Sequence, residues 1–131
     1  LFVGGGVAHG PKGAVYKIKK INKKVRKLAL AQTLSKKNID KKLYILNDVK
    51  KEIKKTKEFN KFLVDNNLSN ALIVSDKESK KNINKSARNI KNLKIINNDG
   101  ANIYDMLKYT NVILTSTSIK KIEEKILNEK N

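Results

Sequence analysis

The sequence predicts an α/β fold: a three-layer domain with a mostly parallel four-stranded sheet and helices on both faces, preceded by an extended basic glycine-rich arm. Three observations predict it. Four short, mainly apolar runs, at residues 43–46, 71–74, 93–96 (where Lys94 interrupts) and 112–114, do not alternate with polar residues, as in strands covered on both faces. Segments with helical spacing separate these runs, which is the pattern of βαβ units. Ahead of the first helix signal, residues 1–20 sustain no apolar period and read as extended loop.

The elements follow in order. Asn22 stands where a helix cap is needed, and helix signals run from it to about Lys37. Ile21, Val25, Leu28 and Ala29 share one face of that helix and Leu30 and Leu34 the opposite side, so it is expected to be covered on two sides toward its C-terminal end. Residues 50–67 read as mostly helical, with Phe59, Phe62 and Leu63 making the core contact. Residues 78–88 form a weaker helix that uses Ile83 and Ala87. The run Asn97, Asn98, Asp99, Gly100 is a turn signal, and residues 103–108 give one or two helical turns. Ser118 is expected to cap a last helix in which Ile119, Ile122 and Ile126 recur at helical spacing.

Charge narrows the function. The 131-residue chain carries a net charge of +18, which calls for a polyanionic partner. Residues 1–39 hold ten Lys or Arg and no Asp or Glu, so the main anion-binding surface is expected there. A membrane is the competing partner, but no apolar run approaches the ~20 residues of a span, and no cationic helix has a Trp/Phe/Leu face. Nucleic acid is therefore favoured. Lys outnumbers Arg 28 to 2, so bidentate reading of base edges is not the theme. Tyr16, among the lysines, is placed either to stack on a base or to pack in a half-buried loop. Cysteine is absent, which excludes disulfides, a thiolate nucleophile and a Cys-based zinc site. The first residues are glycine-rich and lack a secretory pattern, and a start at Leu1 reads as a fragment or processed chain.

Five of the six glycines and the only proline fall in residues 4–13. Glycine costs backbone entropy, so the cluster requires a turn, or a ligand close to the backbone. A glycine-rich surface loop beside a solvated helix face fits the same composition. Nucleotide-binding loops fit worse. Gly5 and Gly10 have P-loop spacing, but Pro11-Lys12-Gly13 follows where Lys-Ser/Thr is required. A dinucleotide fingerprint needs glycine where His9 stands and an acid about twenty residues on, and neither is present. His9 has no catalytic partner nearby, and the adjacent Glu123 and Glu124 diverge on a helix. The alternative that survives is a small α/β nucleotide- or phosphate-binding enzyme using a strand end, Ser75-Asp76.

Several motifs then converge. Gly4-Gly5-Gly6-Val7-Ala8-His9-Gly10-Pro11, Lys23-Lys24-Val25-Arg26-Lys27-Leu28-Ala29-Leu30 and Leu34-Ser35 resemble the protein L-four family of the large ribosomal subunit, of bacterial and organellar type. Ser86-Ala87-Arg88-Asn89-Ile90, the stretch from Asn102 through Tyr109, Leu114-Thr115 and Ile122-Glu123-Glu124-Lys125 resemble its later motifs in the same order. The resemblance implies an α/β globular domain, residues 22–131, on the outer side of the subunit. It implies that residues 1–21 are the C-terminal part of an extended loop that penetrates RNA and reaches the nascent-chain tunnel wall. It implies a structural role in the cytoplasm, on the ribosome of a bacterium or organelle, with no catalytic residues, metal or cofactor. The implied partners are large-subunit ribosomal RNA and neighbouring ribosomal proteins, with no membrane and no small-molecule substrate.

The candidate RNA contacts are Gly4, Gly5, Gly6 and Gly10, where bare backbone lies against RNA, with His9 and Lys12 beside them. Lys17, Lys19 and Lys20 join on charge alone, since residues 13–20 match the family poorly. Lys23, Lys24, Arg26 and Lys27 complete the set at the helix start. Residues 1–20 cannot bury enough surface to offset a backbone entropy of ~1–2 kcal/mol per residue, so they are expected to order only against RNA.

Overall fold

The computed structural model describes residues 20–50 and 52–128. Four strands, β1 (Leu43–Leu46), β2 (Ala71–Ser75), β3 (Leu93–Asn97) and β4 (Asn111–Thr115), form one sheet in the order β1-β4-β2-β3. Every neighbouring pair is parallel. The helices are α1 (Lys23–Ile39), α2 (Thr56–Asp65), α3 (Lys77–Ala87), α4 (Ile103–Lys108) and α5 (Ser116–Leu127), with a single 3-10 turn at Asn98–Gly100. The α/β class, the parallel sheet and its helical cover are as the apolar runs predict. The glycine-rich arm lies outside the described residues.

Strand geometry builds the three layers. Successive side chains point to opposite faces, so Leu72, Val74, Val112 and Leu114 meet Leu30, Met106 and Ile122 from α1, α4 and α5. Ala71, Ile73 and Ile113 point the other way, onto Phe59, Leu63, Ile83 and Ala87 from α2 and α3. β2 and β4 are central and buried along their whole length.

Several expectations need correction. Strands β1 and β3 are not buried on both faces: both are edge strands, Ile45 is 68% exposed, and in β3 Ile96 alone is buried. α1 packs on one side only, through Leu30, Thr33 and Leu34, because the sheet, α4 and α5 all lie on that side; Ile21, Val25 and Leu28 face solvent. The helix expected from residue 50 begins at Thr56, and Phe62 is 44% exposed while Phe59 and Leu63 face the sheet. The approach to α2 is held from outside it, by Ile53 N–H donating to the Asn82 carbonyl and the Asn82 amide donating to the Val49 carbonyl.

Caps explain several boundaries. Asp76 accepts from the Glu78 and Ser79 backbone N–H groups and so starts α3. Asn102 accepts from Asp105 N–H at 2.8 Å and starts α4. Ser118 is not a cap: α5 begins two residues earlier, and the buried Ser118 hydroxyl pairs with Thr115 Oγ1 at 2.6 Å. Helices α1 and α2 end without glycine. Lys41 (φ 56°) and Asn67 (φ 57°) take the left-handed conformation instead, with Lys42 N–H returning to the Lys37 carbonyl and Leu68 N–H to the Leu63 carbonyl.

Candidate nucleic-acid interface

The thirteen residues singled out above divide sharply. Gly4, Gly5, Gly6, His9, Gly10, Lys12, Lys17 and Lys19 lie outside the described residues. Lys20, Lys23, Lys24, Arg26 and Lys27 are described, and all but the half-buried Lys27 are exposed.

The start of α1 is built against its own stability. A helix N-terminus carries partial positive charge from unpaired backbone N–H groups and favours acidic neighbours. Here the first turn holds no acid, Lys23 and Lys24 open it, and the Asn22 side chain makes no capping hydrogen bond. Among the described residues no carboxylate pairs with Lys20, Lys23, Lys24 or Arg26. Cations stacked on a positive helix end, exposed and unneutralised, form a surface that an anion relieves.

The remaining cations of this helix hold the fold. The Lys27 ammonium donates to the Asn128 carbonyl, just past the end of α5, and so ties the two helices together. Lys37 donates to the Tyr109 and Thr110 carbonyls at 2.8 and 3.0 Å, anchoring α1 to the turn before β4. Burial lowers the Lys37 pKa from its ordinary value, and neighbouring Lys42 adds to that. Lys36 pairs with Asp40 at 3.1 Å. Sequence reasoning assigned Lys27 to RNA alone; its structural bond spans 101 positions and leaves no local signal.

The strand ends that an enzyme of this class would use are occupied by the protein's own groups. Ser75 is fully buried. Asp76 is committed to capping α3: burial opposes its ionisation, but hydrogen bonds from Ser79 and Glu78 outweigh it and hold the carboxyl below its usual range. Thr117 closes the crevice, donating from its N–H and its hydroxyl to Asp48 Oδ1 at 3.1 and 2.9 Å. The Thr117 hydroxyl also lies 3.4 Å from Asp76 Oδ1, so the groups at this strand end are spent on one another. Among the described residues no group of three His, Cys, Asp or Glu side chains could hold a metal ion, and no helix is long and apolar enough to cross a membrane.

Comparison with known proteins agrees with the motifs. Residues 1–125 match the ribosomal protein L4/L1 family. The chain is 44% identical over 126 residues to the large ribosomal subunit protein uL4 of Pelagibacter ubique (strain HTCC1062), covering 95% of this chain and 61% of that protein. It is 39% identical over 122 residues to the uL4 of Geotalea uraniireducens (strain Rf4), covering 93% and 58%. It is 41% identical to the uL4 of Thermotoga maritima over a 144-residue alignment, covering 95% and 61%. The chain thus spans about three fifths of the length of the curated relatives it matches. With the cationic helix start, the parallel sheet and this match along nearly all its length, the chain belongs to the ribosomal protein L4/L1 family, whose members are structural ribosomal proteins rather than enzymes.

Proposed function

We propose that the chain is a structural constituent of the large ribosomal subunit. In this reading it binds large-subunit ribosomal RNA through the glycine-rich basic stretch of residues 1–21 and the adjoining start of α1. It supports assembly of the subunit and the wall of the nascent-chain tunnel. Its partners are that RNA and neighbouring ribosomal proteins, and its place is the ribosome in the cytoplasm. The α/β domain of residues 22–131 holds α1 in position.

One observation carries the reading: Lys23, Lys24 and Arg26 stand exposed, without a carboxylate partner among the described residues, on a helix end whose dipole already disfavours them. Each phosphate they neutralise would release counterions, which adds affinity independent of sequence. The test is binding of the chain to transcribed large-subunit rRNA as salt is raised. With at least about six phosphates engaged, affinity falls by on the order of 10³ or more between roughly 50 and 200 mM salt. A salt-independent affinity would overturn the proposal.

A further inference from the structure

A cavity of about 300 Å³ lies between α1, α4 and α5. Its floor is apolar, made by Leu30, Ala101 and Ile103, and three cations, Arg26, Lys27 and Lys125, line it with no carboxylate among its walls. Such a volume suits a small ligand at the lower end of the usual range. The combination of apolar floor and cationic rim selects that ligand by chemistry: one part flat or apolar, another anionic. A second cleft adjoins it, sharing Lys27 and Lys125. Asn98 lines this cleft together with the carboxylates of Asp99 and Glu124; the Asn98 side chain is buried, and its Oδ1 has no hydrogen-bond partner among the described residues. A buried acceptor without a donor is destabilising. A ligand that reaches it would bring a hydroxyl or amino donor.

Resting on the proposed RNA-binding role, we propose that this cavity takes one unstacked nucleotide of ribosomal RNA. The base lies on Leu30, Ala101 and Ile103. The phosphate is held by Arg26 and Lys125. Asn98 accepts a hydrogen bond from the ribose 2′-hydroxyl, the donor that separates RNA from DNA. Single-stranded loops and bulges supply such splayed bases, and pockets of this type are how proteins read them. The site continues the exposed start of α1, since Arg26 and Lys27 belong to both. Phosphates tracking along Lys23 and Lys24 would deliver the nucleotide to the cavity.

Two measurements on the full chain test this. In the first, the ¹⁵N-labelled protein is titrated with each of the four ribonucleoside monophosphates, with their 2′-deoxy forms and with inorganic phosphate. Saturable shifts at the Leu30, Ala101 and Ile103 amides are expected with ribonucleotides, with at least ~3-fold weaker binding of the deoxy forms. Equal shifts with inorganic phosphate, or shifts confined to other regions, overturn the proposal. In the second, affinity for transcribed large-subunit rRNA is compared among the wild type, Lys125→Gln and the cavity-filling Ala101→Leu. Each variant is expected to bind at least ~5-fold more weakly. If the wild type binds and Lys125→Gln binds equally, the cavity is not a nucleotide site while the RNA-binding role stands. If the wild type does not bind rRNA, that role itself fails. Should Ala101→Leu not fold, Lys125→Gln and the titration decide the matter alone.

Discussion

The Lys94 ammonium lies 2.7 Å from Asp105 Oδ2, joining strand β3 to helix α4 through a carboxylate that is almost wholly buried. Asn102 donates to the same oxygen at 2.9 Å. The hydrogen bond from Lys94, then that from Asn102, hold the Asp105 carboxyl below its ordinary pKa, and the same bond raises that of Lys94. Because the folded pKa of Asp105 is depressed, its contribution is fully present above the unfolded value of about 3.9 and is lost as pH falls through the folded one. Melting temperature should therefore drop as pH is lowered from about 5 toward 2. Asp105→Asn should be less stable at pH 7 and show a shallower acid slope. Parallel slopes for the two proteins would remove Asp105 from this account.

The cations at the start of α1 predict opposed effects on stability and binding. Replacing Lys23 and Lys24 by Glu puts acids where the helix dipole favours them, worth about 0.3–1 kcal/mol each at low salt. Thermal unfolding should shift upward while affinity for rRNA falls. Lys23→Gln, Lys24→Gln and Arg26→Gln combined should flatten the salt dependence by several units of slope. Lys27→Gln should behave differently, lowering the melting temperature as well, since it frees the end of α5.

Ile73 sits in the buried centre of β2, between the sheet and α2 and α3. Ile73→Ala should cost roughly 2–5 kcal/mol, as a truncation that leaves a cavity. Tyr104, exposed on α4, should tolerate alanine within about 0.5 kcal/mol. Urea unfolding of both variants checks the pair. Equal costs would mean that the layer assignment is wrong.

Lys41 adopts φ 56° after the end of α1, and Lys42 N–H closes the turn onto the Lys37 carbonyl. A left-handed residue with a Cβ carries a strain of about 1–2 kcal/mol, partly offset in glycine by a more flexible unfolded chain. Lys41→Gly should therefore stabilise the protein by ~0.5–1 kcal/mol. A loss of stability would show that the Lys41 side chain makes a contribution not visible in its contacts.

The sequence made the strands legible because parallel strands covered on both faces are short, continuous apolar runs; residues 71–74 and 112–114 are that pattern without exception. It misled at β1 because Leu43-Tyr44-Ile45-Leu46 has the same composition at the edge of the sheet, and strand order is a non-local property. It misled at α1 because apolar residues occupy both sides of that helix while tertiary packing uses one. It gave no warning that α1 and α2 end on Lys41 and Asn67 in place of the usual glycine. In the candidate interface, the exposed cations were visible as a charge run. Lys125 and Asn98 were not, because only the docking of α5 and the turn after β3 brings them beside Arg26 and Lys27.

The strand order has a consequence for how the chain matures. β1 is first in sequence, yet its sheet partner is β4, the last strand, so residues 43–46 wait for residues 111–115. β2 and β3, joined through α3, can pair early at little loop-closure cost. α1 docks on α4 and α5, which likewise emerge late. During synthesis from the N-terminus, the most cationic element is thus available long before its scaffold exists. Completing the sheet therefore waits on distant pairings, which slow folding relative to local ones. The seating of α1 is a late event, and any truncation that removes β4 or α5 leaves that helix without a place to sit.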